Sequence, residues 1–392
     1  MDATALTIFG FCAGGVFSVL FLYPMAAWLR SAVARDRSRG QDESAAVPSV
    51  SILVAGRNAE TLLPQKIENV RQLRDPGGGV QAVWVSDGST DRTAEILRES
   101  VTEPDVAIVV DEHRGKASAL NRGAEECTGE ILVFSDADAI LEVSALEKLV
   151  ARFEDPTVGG VCGRRTLGKD RTDLTSAQSG YVNLDSRVKQ YESRWGSITS
   201  NDGKLYASRR ELLRSVEEAV TDDLWVALNV IDQGYRFVFE PGAIAWISTP
   251  SRSPGHELRR RRRIVSRSLR GLARMRQLMN PLRTGFFAIG LFVNKVLRRA
   301  LPFFLLGMLV SSVFLALESD LFRVLALVQG AGILLAAGYP MIRRLPVGPL
   351  ARLSSLPFYF SLGMLGTALG VLDFVRGRRV VVWDPQKSGS GS

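Results

Sequence analysis

An almost uncharged apolar run from Leu6 to Leu29 most constrains this fold, because it is long enough to cross a lipid bilayer as one helix. Four arginines follow it at once: Arg30, Arg35, Arg37 and Arg39. A cleaved signal peptide would need a basic start, which this run lacks. We therefore predict a transmembrane anchor over residues 1–30, with its carboxyl side in the cytoplasm.

Apolar density returns after Arg283. Residues 301–317, 321–342 and 356–374 are three further stretches of membrane-spanning length, which predicts a membrane region over residues 301–375. The apolar content of 46% is high for a wholly soluble chain, as expected with four such segments.

The sequence leaves the topology of the last apolar segment open. An anchor that ends inside plus three full crossings would place the following basic residues outside, against the positive-inside tendency. The segment is therefore either re-entrant or an exception to that rule. Pro357 and the glycines Gly363, Gly366 and Gly370 suit an irregular or a closely packed helix, and these glycines are a candidate contact in a homo-oligomer.

The net charge of +8 comes from 49 Lys and Arg against 41 Asp and Glu. The arginines cluster beside apolar segments, which favours a lipid membrane as the partner and not nucleic acid. Three cysteines, Cys12, Cys127 and Cys162, have no metal-ligand spacing and no paired framework, as expected of a reducing cytoplasmic domain. Residues 376–392 form a tail that ends in a Ser/Gly linker.

Residues 48–255 have the pattern of an α/β layer fold, with short Val- and Ile-rich runs alternating with helical patterns. Strands are predicted over residues 49–55, 81–85 and 106–110, and a fourth strand ends near Asp136. Polar residues follow each strand, at the edge where a doubly wound sheet presents its binding crevice.

Asp136 and Asp138 follow the fourth strand. Side chains two residues apart on a strand point the same way, so both carboxylates are predicted to converge at the sheet edge. Such a pair can hold a hard divalent cation, which can bridge the phosphates of a nucleotide-activated substrate. The alternative is a pair of acids that caps a helix or faces water.

The ends of the other three strands carry further candidate binding residues. Asn58 follows the first strand and either contacts a nucleotide or caps the next helix. Asp87 follows the second strand and can accept a hydrogen bond from a base or ribose, while Gly88 permits close backbone approach. Lys116 follows the third strand and either neutralises phosphate charge or is an ordinary solvated lysine.

The order of these motifs strongly resembles that of the family 2 glycosyltransferases with a Rossmann-like GT-A fold, over roughly residues 48–275. The motifs are Asn58, Asp87–Gly88–Ser89–Thr90–Asp91, Gly115–Lys116–Ala117–Ser118–Ala119–Leu120–Asn121 and Asp136–Ala137–Asp138. Membrane-embedded members of this family make chitin, hyaluronan or poly-N-acetylglucosamine. The resemblance implies inverting transfer from a nucleotide sugar, with UDP preferred, and a need for Mg²⁺ or Mn²⁺.

The resemblance also implies roles for single residues. Asn58 and Asp87 are implied to bind the nucleotide, with Asp87 near the base. Lys116 is placed near the diphosphate. Asp138 is implied to bind the metal. Asp136 is implied to assist in binding the metal and to bind the nucleotide sugar.

Two later segments concern the acceptor. The segment Asn201–Arg210 is similar to the family's segment beneath the acceptor, where Gly203 leaves room for a sugar ring; locally it is also a simple turn into a strand. Thr221, Asp222 and Asp223 are locally an adequate helix cap. The family normally has Thr-Glu-Asp there, so Asp223 is implied to be the general base, and Asp222 replaces the usual Glu on the acceptor side.

Residues 256–300 are predicted to form amphipathic interfacial helices at a cytoplasmic leaflet. The apolar stripe contains Leu258, Val265, Leu269, Leu272 and Met279. The basic stripe, predicted to face lipid headgroups, contains Arg260, Arg263, Arg267, Arg270 and Arg274.

Processive members of the family carry Gln/Arg-x-x-Arg-Trp in this region, whereas here Arg260 to Arg263 are followed by Ile264. Arg263 is implied to contact the diphosphate. The missing aromatic platform weakens the argument for long-polymer synthesis. Trp383 resembles a tail motif near the cytoplasmic interface, which would favour a re-entrant last segment.

These observations predict an integral membrane glycosyltransferase, with its catalytic domain on the cytoplasmic side of a bacterial inner membrane. The main hypothesis is extension of a polysaccharide or oligosaccharide, coupled to passage of the product into or across the membrane. The rival is transfer of a single sugar to a lipid acceptor. A catalytically inactive scaffold or nucleotide-sugar-binding regulator is disfavoured, because the site aspartates are all kept.

Overall fold

The computed structural model describes residues 2–34, 46–167, 173–247, 253–342 and 348–378. Some residues used in the sequence analysis lie outside the described residues: Arg35, Arg37, Arg39 and Trp383.

Eight strands form one mixed sheet. In chain order they are β1 (Val50–Gly56), β2 (Val80–Asp87), β3 (Val106–Val110), β4 (Ile131–Asp136), β5 (Ala139–Leu141), β6 (Val158–Leu167), β7 (Leu205–Arg209) and β8 (Arg236–Ile247). Their spatial order is β3-β2-β1-β4-β7-β6-β8-β5. The first four strands are parallel, whereas β7 is antiparallel to both β4 and β6. The first three strands begin and end within two residues of the predicted limits.

The helices lie on both faces of the sheet and beyond it. In chain order they are α1 (Ala3–Phe17), α2 (Tyr23–Val33), α3 (Leu63–Arg71), α4 (Thr93–Ser100), α5 (Lys116–Glu125), α6 (Ala145–Val150), α7 (Asp173–Trp195), α8 (Asp222–Asp232), α9 (Pro254–Arg274), α10 (Pro281–Thr284), α11 (Phe286–Leu291), α12 (Arg298–Leu315), α13 (Asp320–Ile342) and α14 (Gly348–Val375). Leu53 and Ala55 of β1 face the core shared with α5, α8 and α9, and Ile52 and Val54 face the core shared with α3, α4 and α6. Because both faces of β1 are covered, its sequence is a continuous apolar run.

Helix α9 buries its apolar stripe in the protein. Val265, Leu269 and Leu272 belong to the same buried core as α8. The sequence analysis predicts that this stripe lies at a membrane surface, but the α/β domain covers it. Arg267, predicted to face headgroups, is only 9% exposed and donates from Nε to the Val220 carbonyl at 2.8 Å. An amphipathic pattern shows that one face is covered, but it does not show by what.

Helix α14 is continuous and packs along α9. A side-chain carbon added at Gly370 would lie 2.7 Å from the Arg262 carbonyl oxygen, and Gly363 and Gly366 also face α9. Arg262 donates two hydrogen bonds to the buried carboxylate of Asp373, at 2.5 and 2.7 Å. The glycines therefore serve close packing within the chain, and the homo-oligomer contact predicted for them is not available on the face that α9 covers.

Four helical stretches in the described residues are long and apolar enough to cross a membrane: Ala3–Val33, Phe286–Leu315, Asp320–Ile342 and Leu353–Val375. The sequence analysis likewise predicts four membrane-spanning segments. The second stretch begins before the predicted boundary at residue 301, because Lys295, Arg298 and Arg299 interrupt the apolar run there without ending the helix. A π-helical turn at Phe292–Leu297 carries the helix through this region.

A buried polar network joins these helices to the α/β domain. The Tyr23 hydroxyl of α2 donates a short hydrogen bond to the carboxylate of Glu192 on α7. Thr199 donates to the same carboxylate from its backbone N at 2.9 Å and from Oγ1 at 2.7 Å. Asn294 of the π-helical turn donates from Nδ2 to Thr199 Oγ1 at 2.8 Å. The network fixes the segment that leads into β7, and that segment lines the candidate site.

Candidate active site

Asp136 and Asp138 converge at the carboxyl edge of the sheet, as predicted, but for a different reason. Asp136 ends β4, whereas Asp138 lies in the turn between β4 and β5, so strand alternation does not align them. Both contact the Lys204 ammonium: Nζ lies 2.9 Å from Asp136 Oδ2, and 2.7 and 3.0 Å from the two oxygens of Asp138. A strand end and a turn therefore bring the two carboxylates together around one ammonium group.

Lys204 is a site residue that the sequence analysis missed. Ser135 of β4 pairs with Leu205 of the antiparallel β7, and this register brings Lys204 opposite Asp136. Its only sequence signal is its position next to Gly203, because the pairing partner of a distant strand cannot be read from local sequence.

Lys116 begins α5 and lies between two carboxylates. Its Nζ lies 2.8 Å from Asp136 Oδ1 and 2.8 Å from Asp222 Oδ2. Burial alone would lower the pKa of Lys116, but Asp136 and Asp222 together raise it above its ordinary value. The structure thus brings Asp222, predicted on the acceptor side, into contact with the cation predicted near the diphosphate.

Asp223 lies in the first turn of α8, where its Oδ1 accepts from the Leu224 backbone N at 2.7 Å. The predicted cap residue Thr221 makes no side-chain capping bond. A side-chain carbon added at Gly203 would lie 3.5 Å from Asp223 Oδ2, so the glycine lies directly against this carboxylate. Burial, and then the charge of Asp222, raise the pKa of Asp223 to about 6. A carboxylate with that pKa is ionised near neutral pH and is basic enough to accept a proton.

Asp87 holds the loop that leads to Lys116. It is 2% exposed, and its carboxylate pairs with His113 Nδ1 at 2.8 Å and accepts from the backbone N of Arg114 at 3.0 Å and of Gly115 at 2.9 Å. Gly88 has a φ of +59°, and a side chain there would collide with the backbone of this loop. The predicted contact of Asp87 with a base stays a prediction.

Asn58 and Arg263 are two further residues predicted to bind the nucleotide sugar. Asn58 accepts at Oδ1 from the Thr90 backbone N at 2.8 Å, and so joins the loops after β1 and β2. Burial, and then the charges of Arg267 and Arg260, lower the pKa of Arg263 to about 10, so it is still charged at neutral pH. Their predicted contacts with a nucleotide sugar also stay predictions.

Lys66 is a second residue that the sequence analysis missed. It is fully buried beneath the carboxylate pair, and its Nζ donates to Ser135 Oγ at 2.8 Å and to the Ala139 carbonyl at 2.6 Å. Burial lowers the pKa of Lys66 to about 7. The lysine thus fixes the turn that carries Asp138, and nothing in its sequence context distinguishes it from a surface lysine of α3.

The donor set at the carboxylate pair suits a hard divalent cation. Asp136 and Asp138 offer oxygen ligands only, and their binding of an ammonium shows that they attract a cation. Within the described residues, no three His, Cys, Asp or Glu side chains cluster as a complete metal site. Two carboxylates with the phosphates of a bound nucleotide are a common Mg²⁺ arrangement.

Comparison with known proteins identifies the domain. Residues 51–216 match the model of "Glycosyl transferase family 2". Residues 51–216 are thus similar to a family 2 glycosyltransferase domain. A β-monoglucosyldiacylglycerol synthase from Nostoc sp. is 32% identical over 200 residues, which cover 49% of this chain and 43% of the relative. A poly-β-1,6-N-acetyl-D-glucosamine synthase from Staphylococcus aureus is 26% identical over 208 residues, covering 51% and 50% of the two chains. The chain thus spans about half the length of these curated relatives.

The fold agrees with this assignment. A mannosyltransferase from Pyrobaculum calidifontis, solved in complex with GDP-Man and Mn²⁺, superposes with a TM-score of 0.68 and 22% identity, over 95% of this chain and 100% of that chain. The GT-A fold predicted from the sequence, with one amino-terminal and three carboxyl-terminal candidate membrane helices, is confirmed.

Proposed function

We propose that this protein is a membrane-bound inverting glycosyltransferase of the family 2 type, which moves a sugar from a nucleotide sugar to an acceptor hydroxyl. The observation that carries the proposal is one connected set of charges: Lys116 joins Asp136 to Asp222, and the adjacent Asp223 lies against Gly203 with its pKa raised to about 6. A base for the acceptor and cations for a diphosphate thus lie within one cleft.

Each group has a defined part in direct displacement. Asp223 takes the proton of the acceptor hydroxyl as that oxygen attacks the anomeric carbon, and the bond from that carbon to the diphosphate oxygen breaks. Lys116 and Arg263 supply positive charge to the leaving diphosphate. Asp136 and Asp138 would hold Mg²⁺ or Mn²⁺, which when bound stabilises negative charge on the phosphates. Because the hydroxyl attacks from the face opposite the diphosphate, the anomeric configuration inverts.

The donor base and the membrane side are finer parts of this proposal. The family resemblance favours UDP, and the GDP-Man complex of the structural neighbour makes GDP the first alternative. Four candidate spans and the arginines of α9 support an integral membrane protein with its catalytic domain on the cytoplasmic face of a bacterial inner membrane.

The acceptor is proposed to be a growing oligosaccharide or polysaccharide, with product passage coupled to the membrane helices. A second candidate is a lipid that receives a single sugar. The latter is favoured by Ile264, which stands where processive members carry tryptophan and is 37% exposed, and by the similarity to a glucosyldiacylglycerol synthase.

The test uses the full chain, purified in detergent with lipid, and a panel of UDP-, GDP- and TDP-sugars with Mg²⁺ or Mn²⁺. Nucleotide release and product mass are recorded together. We expect metal-dependent release from one donor; a ladder of masses selects glycan extension, and a single mass increment on lipid selects the second candidate.

Variants test the assigned residues. Asp223→Asn should lower kcat by about 10²-fold or more, as for loss of a general base. Asp138→Ala should remove most metal-dependent turnover. Glu99→Gln, which neutralises an exposed carboxylate on α4, is the control and should match the wild type. Full turnover of both site variants would refute the mechanism, and the absence of both release and nucleotide-induced thermal stabilisation would favour an inactive scaffold.

A further inference from the structure

We propose that Lys204 is a built-in competitor of the divalent cation: its ammonium occupies the carboxylates of Asp136 and Asp138 in the free enzyme, and it leaves them when metal and nucleotide sugar bind together. This inference rests on the proposed function, because it concerns the metal used with the donor. It predicts that the free enzyme binds metal weakly and that the nucleotide strengthens this binding.

The first argument is steric. Lys204 Nζ lies within 2.7 to 3.0 Å of one oxygen of Asp136 and both oxygens of Asp138. A bound Mg²⁺ would need the same oxygens at about 2.0–2.1 Å, so the ammonium and the metal cannot share them. The lysine side chain is only 16% exposed, so the ammonium is held within the site and not loosely in solvent.

The second argument is electrostatic. Two lysines of the described chain form ion pairs with these carboxylates: Lys204 contacts both of them, and Lys116 contacts Asp136 and also pairs with Asp222. A divalent cation that entered with both ammonium groups in place would meet two like charges at contact distance. Lys116 keeps its ion pair with Asp222 when a metal takes Asp136. Both carboxylates that Lys204 contacts are those that the metal needs, so Lys204 is the group that must move.

The third argument concerns where the ammonium can go. Lys204 stands at the entrance to β7, next to Gly203, on a flexible four-carbon side chain. Because Asp136 and Asp138 border the proposed phosphate position, a displaced ammonium stays within reach of the incoming diphosphate and gains a new anionic partner. The nucleotide phosphates thus replace the carboxylates as partners of the Lys204 ammonium. Metal and nucleotide therefore favour each other's binding.

The test measures Mn²⁺ binding to the full chain by titration calorimetry and by the electron paramagnetic resonance of free Mn²⁺, with and without UDP or GDP. Lys204→Met removes the ammonium and keeps a long side chain. Without nucleotide, we expect this variant to bind Mn²⁺ about tenfold more tightly than the wild type, within the usual range of coupling between ligands. The nucleotide should then strengthen Mn²⁺ binding far less in the variant than in the wild type.

Two controls separate this effect from general changes of charge. Lys204→Arg keeps the positive charge and should bind Mn²⁺ as weakly as the wild type. Lys148→Met removes a lysine that pairs with Glu142 away from the site, and it should leave the affinity unchanged. If Lys204→Met does not fold, a structure of the wild type with Mn²⁺ and the nucleotide decides, and we expect Lys204 Nζ more than about 4 Å from Asp138.

The outcomes distinguish this inference from the proposed function. Equal or weaker Mn²⁺ binding by Lys204→Met, or a metal-bound structure with Lys204 still on both carboxylates, would overturn the role of Lys204 and leave the metal assignment standing. No Mn²⁺ binding by any variant, even with nucleotide, would instead overturn the metal assignment in the proposed function.

Discussion

Replacing Asp223 by Asn should lower kcat by about 10²-fold or more and at the same time stabilise the protein above pH 6. The carboxylate is partly buried and lies beside the charge of Asp222, and both effects penalise its ionised form. Asn retains the oxygen that accepts from the Leu224 backbone N at 2.7 Å, so the substitution removes the charge and keeps the local hydrogen bond.

The magnitude follows from the pKa of Asp223, which rises from an ordinary 3.8 to about 6. That difference corresponds to at most about 3 kcal/mol of unfavourable free energy in the folded, ionised state. Because Asp223 is only partly buried, solvent screens part of this penalty, and we expect a stabilisation of about 1–3 kcal/mol, or a rise of a few degrees in the unfolding midpoint.

The direction of the pKa shift of Asp223 also predicts how the stability depends on pH. Between pH 3.8 and about 6 the folded state binds a proton that the unfolded state releases, so this carboxyl makes the protein less stable as pH rises through that window. Thermal unfolding in detergent should show the midpoint of Asp223→Asn above that of the wild type at pH 8, and the two midpoints converging toward pH 4.

Glu99→Gln is the control, because it neutralises an exposed carboxylate and should shift the midpoint little at any pH. A lower midpoint for Asp223→Asn at pH 8, or a difference between variant and wild type that does not change between pH 4 and 8, would refute the assigned burial and charge of Asp223.

Three further predictions concern the charge beside Asp223, the buried Tyr23 network and the packing of α14 on α9. Asp222→Asn should move the acidic limb of the kcat/KM profile to lower pH, because its charge raises the pKa of Asp223; an unmoved limb would contradict this. Tyr23→Phe should lower the unfolding midpoint, by about 1–3 kcal/mol of stability, since it leaves a buried carboxylate short of a donor; an unchanged midpoint would contradict the network. Gly370→Ala should cost about 1–3 kcal/mol, because the new carbon would lie 2.7 Å from an α9 carbonyl, whereas Gly330→Ala in open space should not destabilise; equal midpoints would argue against the α9–α14 packing.

The sequence determined the parts of this protein that depend on neighbouring residues. The apolar runs predict four candidate membrane helices, and the Val- and Ile-rich strands predict β1 to β3 within two residues, since length and periodicity are local properties. The polar residues after each strand could also be placed at one edge, because the carboxyl ends of parallel strands meet there. The proximity of Asp136, Asp138 and Lys116 was predicted in this way.

Only the tertiary structure decided which distant residues complete the site. Lys204 reaches Asp136 through an antiparallel pairing of β4 with β7, and Lys66 lies beneath the pair from another helix. The partner of the α9 stripe was likewise decided by packing, since Val265 meets the α/β core and not lipid. A local pattern specifies that a face must be covered or a charge compensated. The fold specifies which group does so, because these contacts join residues far apart in the chain, such as Lys204 and Asp136, which are 68 positions apart.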